Sequence, residues 1–361
     1  VTVKPNKFMI QTSRGAAVFL VLLFHASQTG LRYFDYDYLG VGEMGRSGAY
    51  TFFFVLTGYL MHTLYRREWG NRGMFGTFLL KRFARIYPLY WLVMAAVMPI
   101  YFLVPSFGVG FERDPSAILK SLLLWPQDHG PILGVAWSLS YIVLFYLVYS
   151  LVFIWKDKVL VAIYSSWMTI IVLNMFGWIE LKASTMLSFL FGSYHLQFVI
   201  GILIAIAVQS FPVKRHAWWV TSGAAVYVVL WVARFELRNI PQAELLHSLG
   251  SALLLVGITT WSGKEPRYLK PLAAMGDASY SILLASLPAL SITFKLARAA
   301  QLPGTLGLGV TISICLLAAL GLCLLFYRWV ERPLNEFFRK RFMNKRNLYR
   351  HPSKMSLTPP K

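Results

Sequence analysis

Hydrophobic residues run along this chain in long blocks, without the strict alternation of half-buried strands. Ten blocks reach or approach the length that crosses about 30 Å of hydrocarbon at about 1.5 Å per residue: 9–27, 49–65, 83–104, 132–155, 159–178, 186–208, 217–233, 245–262, 276–295 and 304–327. Lipid offers no water to an unpaired backbone group, so such blocks must be helices or a closed barrel, and their pattern predicts helices. The expected fold class is an all-α polytopic membrane protein with about ten transmembrane helices. The first block follows Lys4 and Lys7 but contains Arg14 and precedes no A-x-A-like site, so it is read as a span rather than a signal peptide. AILKSLLLW at 117–125 is too short to span and is read as an interfacial or re-entrant segment. Residues 1–333 are expected to form the transmembrane domain and 334–361 a basic cytoplasmic tail.

The polar positions between the blocks give sidedness. The start of the chain, the connections 66–82, 156–158, 210–216 and 263–275, and the segment after 327 hold 24 of the 35 Lys and Arg residues. By the positive-inside rule both termini of this multi-pass chain are expected to face the cytoplasm. The tail, with Arg339, Lys340, Arg341, Lys345, Arg346, Arg350 and Lys354, suits either an anionic lipid surface or a solvated end.

Composition agrees with lipid as the solvent: 57% of residues are hydrophobic and only 14% charged, which excludes a disordered chain and an ordinary soluble domain. The formal charge of +20 sits in alternate loops rather than on one face, so it is a topology signal and no nucleic-acid partner is expected. Cys315 and Cys323 lie about 12 Å apart along one helix and cannot bridge within it. No HExxH, His/Cys cluster or Gly-rich phosphate loop is present, and no metal is expected.

An ionisable group inside a membrane segment is costly, which singles out Arg14 and His25. At 100° per residue their spacing puts both on one helix face, about 16 Å apart along the axis. The alternative is a snorkelling Arg14 and an interfacial His25. Lys81, Arg82 and Arg85 stand at the mouth of the third block; Arg82 and Arg85, at i and i+3, share a face and can clamp a polyanion. His62, His129, His195 and His247 are read as structural, as are Asp277 and Tyr280. Glu331 and Arg332 are expected to form a structural ion pair.

RGAAVFLVLLFHA at 14–26, TFFFVLTGYLM at 51–61, RFARIYPLYW at 82–91, WSLSYIVLFY at 137–146, GDASYSILL at 276–284 and VERP at 330–333 occur in that order. With them the chain resembles the acyltransferase-3 family over nearly its whole length, and most of all the branch that acetylates bacterial exopolysaccharides. The resemblance implies that Arg14 and His25 are the family's R-x10-H pair and that Arg82 and Arg85 are its R-x-x-R motif. It implies an O-acetyltransferase with acetyl-CoA as donor and a lipid-linked or nascent polysaccharide as acceptor. His25 would be the catalytic base and Arg14, Arg82 and Arg85 would hold the donor; substrate-binding residues remain unassigned.

The chemistry is consistent with those roles. Guanidiniums stay charged and bind phosphate bidentately, and CoA carries a pyrophosphate and a 3′-phosphate. A neutral imidazole can take the proton of an attacking sugar hydroxyl. Where the family usually has a Glu after WSLSY, Ile142 stands here; Gln197 and Ser286 replace a common Glu and a common His. Another acid such as Asp277 could substitute, the branch could work without one, or the chain is a weakened or inactive relative. Two other functions are therefore weighed: a glycan or solute transporter or flippase, and an inactive scaffold of polysaccharide synthesis.

Overall fold

The computed structural model describes residues 6–42, 48–155, 157–181, 184–233 and 243–347. All regular structure among them is helical. Each of the ten apolar blocks is occupied by helix. Among the described residues seven helical runs are long and apolar enough to cross a membrane: Lys7–Phe34, Met74–Leu103, Gly134–Phe153, Lys158–Met175, Thr185–Ser210, Ser279–Ala299 and Leu308–Lys340. The other three blocks form helices of 17 residues each, Ala49–Tyr65 (α2), His216–Val232 (α9) and Ala243–Thr259 (α10). Their length of about 25 Å lies at the short limit of a span.

Local chemistry sets the boundaries. Helix α1 (Lys7–Phe34) starts where the Asn6 side chain accepts the Met9 N–H at 3.1 Å, and it stops at Asp35, which takes left-handed backbone angles. The 30-residue α3 (Met74–Leu103) is followed by α4 (Pro115–Leu122), which fills the expected short segment and is N-capped by the Asp114 carboxylate. Three α3 side chains satisfy the orphan carbonyls at its end: the Tyr90 hydroxyl donates to Ser121, the Trp91 indole to Leu122 and the Tyr87 hydroxyl to Leu123, at 2.6, 2.9 and 3.0 Å.

Helices α5 (Trp137–Ser150) and α6 (Asp157–Met175) follow. The block 186–208, expected as one helix, is broken into α7 (Thr185–Leu190) and α8 (Tyr194–Ser210). There the buried His195 ring bonds the Phe189 carbonyl at 2.9 Å, satisfying a group that the break leaves open. Beyond α10, α11 (Lys270–Asp277) turns directly into α12 (Ser279–Ala299). The short α13 (Leu302–Leu306) precedes α14 (Leu308–Phe326). A π-helical turn, Tyr327–Glu331, carries α14 into α15 (Arg332–Asn347). The expected tail therefore begins as helix; residues 348–361, with Arg350 and Lys354, lie outside the described residues.

Interior packing is aromatic between α2, α3, α5 and α8, where Phe54, Phe145 and Phe198 stack, and aliphatic between α1, α12 and α14, around Leu22, Leu290 and Ile312. Large apolar side chains such as Leu103, Val229 and Leu317 remain exposed on the outside, as a lipid-facing surface requires. Cys315 and Cys323 are free and buried.

Candidate active site

Helices α1 and α11 cross at a pair of glycines, and that crossing positions the first arginine. A Cβ on Gly276 would stand 2.6 Å from the Gln11 carbonyl carbon, and one on Gly15 would stand 2.7 Å from the Leu272 carbonyl carbon. Backbone touches backbone, so no side chain fits between. Next to this contact the Arg14 guanidinium donates to the Gln11 side-chain oxygen (2.9 Å) and to the Ser279 hydroxyl (2.6 Å). Gln11 in turn donates to the Asp277 carboxylate at 2.5 Å. Asp277 thus supports Arg14 through Gln11.

The second arginine is held from the far end of the chain. Arg85 forms an ion pair with Glu331 at 3.3 Å, and the Glu331 side chain is only 2% exposed against 41% for Arg85. Glu331 also accepts from the Ser281 N–H (3.0 Å), the Ser281 hydroxyl (2.6 Å) and the Asn335 amide (3.2 Å). Its charge is compensated on every side, as a buried carboxylate needs. This corrects the expected Glu331–Arg332 pair: Arg332 instead bonds Glu336, one turn on, at 3.4 Å. The π-helical turn is the physical reason, because its altered winding directs Glu331 inward while Arg332 remains outside. The Arg85 guanidinium lies 5.9 Å from the centre of the Tyr280 ring, whose hydroxyl donates to the Ile86 carbonyl at 2.7 Å.

Arg14 and Arg85 both line one cavity of about 410 Å³, and His25 lines it too. The rest of the wall is mainly apolar and aromatic, including Phe24, Tyr50, Trp137, Ile142, Tyr146 and Tyr280. Arg14 is within electrostatic reach of Arg85 and also of the Glu331 and Asp277 carboxylates, which offset the repulsion between the two cations. The Nδ1 of His25 is enclosed with no hydrogen-bond partner among the described residues, and Gln28 makes a side-chain contact with the ring. Ile142, standing where the family usually has a Glu, is part of the same cavity wall.

The fourth predicted residue is elsewhere. Arg82 does not line the cavity: its guanidinium donates to the Tyr65 hydroxyl at 3.0 Å and lies 5.5 to 5.9 Å from the ring centres of Tyr65, Phe78 and Tyr146. Of that set Tyr146 alone reaches the cavity, so Arg82 touches the site through it. His62, His129, His195 and His247 are absent from the cavity wall and pack instead against Trp69, Phe111, Phe189 and Tyr227. Gln197 is buried behind the wall, and Ser286 bonds the Leu283 carbonyl. Sequence reasoning did not assign Glu331, Gln11 or Ser279 to the site. VERP was the only local signal for the first, and nothing local pointed to the other two.

Comparison with known proteins matches the geometry to a family. The acyltransferase-3 family, described as an acyltransferase domain, matches residues 10–328, a stretch that includes Arg14, His25, Arg82 and Arg85. The chain is similar, at 25% identity over 325 residues, to the exopolysaccharide production protein ExoZ of Rhizobium meliloti (strain 1021), with 87% of this chain and 94% of the relative covered. No solved structure matches. The cavity that gathers an arginine pair and a histidine inside a bundle of apolar helices thus lies within a domain defined by acyl transfer, and the chain belongs to the acyltransferase-3 family of membrane acyltransferases.

Proposed function

We propose that this protein is an inner-membrane O-acetyltransferase that moves an acetyl group from acetyl-CoA to a hydroxyl of an exopolysaccharide or other surface glycan, lipid-linked or nascent. The single observation that carries this reading is the cavity shared by Arg14, Arg85 and His25. The name of the exopolysaccharide production relative supports the choice of acceptor.

In this reading the chain crosses the membrane ten times, with the three 17-residue helices completing the set, and both termini are cytoplasmic, as the basic loops suggest. Arg14 and Arg85 then open toward cytosolic CoA and bind its phosphates through their guanidinium N–H groups. Arg82, outside the cavity, steadies Tyr146 in its wall and touches no phosphate, so its role is in the fold rather than in donor affinity. The thioester lies along the cavity toward His25, about 16 Å from Arg14 along α1. There a ring nitrogen takes the proton of the acceptor hydroxyl as its oxygen bonds to the acetyl carbonyl carbon. The tetrahedral intermediate collapses, the C–S bond breaks, and the imidazolium returns the proton to the departing thiolate of CoA. Such general-base assistance is worth about 10² to 10⁴ in rate.

A second reading, a catalytically inactive scaffold, is favoured by one observation: Ile142 puts an apolar side chain in the cavity wall where the family usually has an acid. CoA release from acetyl-CoA by the purified protein in lipid nanodiscs, with membrane glycan present, separates the two. Transferase activity predicts release that falls at least about 100-fold in His25→Ala. Release equal in both proteins contradicts the mechanism, and no release from wild type supports the scaffold.

A further inference from the structure

The cavity at His25 has a neighbour. A second cavity, of about 490 Å³, shares Val135 with the first, and Thr29, Arg32, Tyr101, Phe107, Ser291 and Lys295 stand in its wall. Helices α1, α3 and α12 run past both. On α1, Arg14 and His25 face the first cavity and Thr29 and Arg32 the second; on α3 the order is Arg85 then Tyr101, and on α12 it is Ser279 then Lys295. From Arg85 to Tyr101 and from Ser279 to Lys295 the rise is about 24 Å in each case. Cations therefore line both cavities, and along α1 His25 lies between Arg14 and Arg32.

Among the described residues the far pair is joined to no carboxylate: neither Arg32 nor Lys295 forms an ion pair. The Lys295 ammonium rests 3.1 Å from the centre of the Phe107 ring, a contact that leaves its charge unneutralised. The acid of the adjoining loop, Glu112, accepts the Val109 N–H at 3.0 Å and the Gly110 N–H at 2.8 Å and is ion-paired to neither Arg32 nor Lys295. Tyr33 and Ser291, whose hydroxyls are 3.4 Å apart, add neutral hydrogen-bonding groups, and Tyr101 adds an aromatic residue of the kind that sugars pack against.

We propose that this second cavity is the acceptor subsite, in which Arg32 and Lys295 bind an oxyanion carried by the glycan, a carboxylate or a phosphate, and so present a nearby hydroxyl to His25. Arg32 stands about 10 Å from His25 along α1, which leaves room for the reacting unit between them. The inference rests on the transferase reading above, and it adds a requirement to it: the acceptor is acidic.

The test uses the full-length protein with Arg32→Gln and Lys295→Gln combined, and in parallel the charge-preserving Arg32→Lys with Lys295→Arg. Acetyl-CoA binding is measured in nanodiscs of neutral phosphatidylcholine, and glycan O-acetylation in cells at equal membrane abundance. The neutral variant is expected to bind acetyl-CoA within twofold of wild type yet acetylate glycan at least tenfold less, and the charge-preserving variant to recover most of that loss. Acetylation unchanged in the neutral variant overturns the proposal. If, in addition, nanodiscs containing phosphatidylglycerol stabilise wild type but not that variant, the cavity holds a lipid headgroup instead. Equal loss of acetyl-CoA binding and acetylation also overturns it, by assigning the pair to the donor or to the fold. A wild-type protein that neither binds acetyl-CoA nor acetylates glycan sinks the transferase reading itself, a result distinct from these.

Discussion

Replacing Gly276 by alanine adds a single methyl group at the point where α11 crosses α1. That methyl would stand 2.6 Å from the Gln11 carbonyl carbon and 3.0 Å from its Cα, both backbone atoms with no rotamer to change. Carbon pairs settle at about 3.5 to 4.0 Å and the Gln11 carbonyl oxygen is nearer still, so the helices must part by at least about 1 Å. Two hydrogen bonds span the same gap: Arg14 to Ser279 at 2.6 Å and Gln11 to Asp277 at 2.5 Å. A 1 Å separation takes both to the edge of bonding distance. Overpacking of this kind costs about 1 to 3 kcal/mol, and a 1 Å misplacement of a positioning group costs about 100-fold in rate. Gly276→Ala should therefore lower the melting temperature in detergent and reduce glycan O-acetylation about 100-fold at matched membrane abundance. Gly321→Ala is the control: a Cβ there meets nothing within 4 Å and should be neutral or stabilising by about 0.5 to 1 kcal/mol. A Gly276→Ala protein with wild-type melting and wild-type acetylation would refute the claim that this crossing positions Arg14.

Arg82→Ala should cost about 1 to 3 kcal/mol of stability through its lost bond to Tyr65 and its ring contacts, with KM for acetyl-CoA near wild type. Arg85→Ala should instead raise that KM tenfold or more; steady-state kinetics of the two variants with the same KM would show that the cavity does not divide their roles. Glu331→Gln keeps volume but sets an amide against Arg85. Because Arg85 is 41% exposed toward the cavity, the cost should be about 1 to 3 kcal/mol rather than that of a fully buried pair, read by thermal unfolding; no change in stability would argue against the pair. Burial raises the Glu112 carboxyl, but the Val109 and Gly110 N–H groups and Arg113 outweigh it and hold it below its usual value. With the folded value depressed, its stabilisation of the 105–114 loop is present above the unfolded pKa and lost as pH falls through the folded one. Limited proteolysis of that loop should thus accelerate below about pH 4, and the dependence should vanish in Glu112→Gln; an equally steep profile in that variant would assign it to another group.

The apolar blocks were legible because burial in lipid forces each into helix, and Arg14 and His25 were legible because helical periodicity aligns them on one face. The break between α7 and α8 escaped notice, since Phe191 and Ser193 interrupt hydropathy too little to signal it. The i, i+3 rule placed Arg82 and Arg85 together, but flexible guanidiniums follow their partners: Arg82 goes to the Tyr65 hydroxyl and Arg85 to Glu331. That Glu331 lies 246 positions away, beyond a π-helical turn, and no local pattern connects the two residues. The second cavity is equally hidden in the sequence, because Arg32 and Lys295 are far apart along the chain and only the packing of α1 and α12 brings them to one wall.

The most direct test of the central claim is mass spectrometry of surface glycan from cells that lack the protein and are complemented with wild type, His25→Ala or Arg85→Ala at equal membrane abundance. The account predicts that O-acetyl groups return with wild type alone. Their return with all three would contradict it, because neither the histidine nor the arginine of the cavity would then take part in transfer.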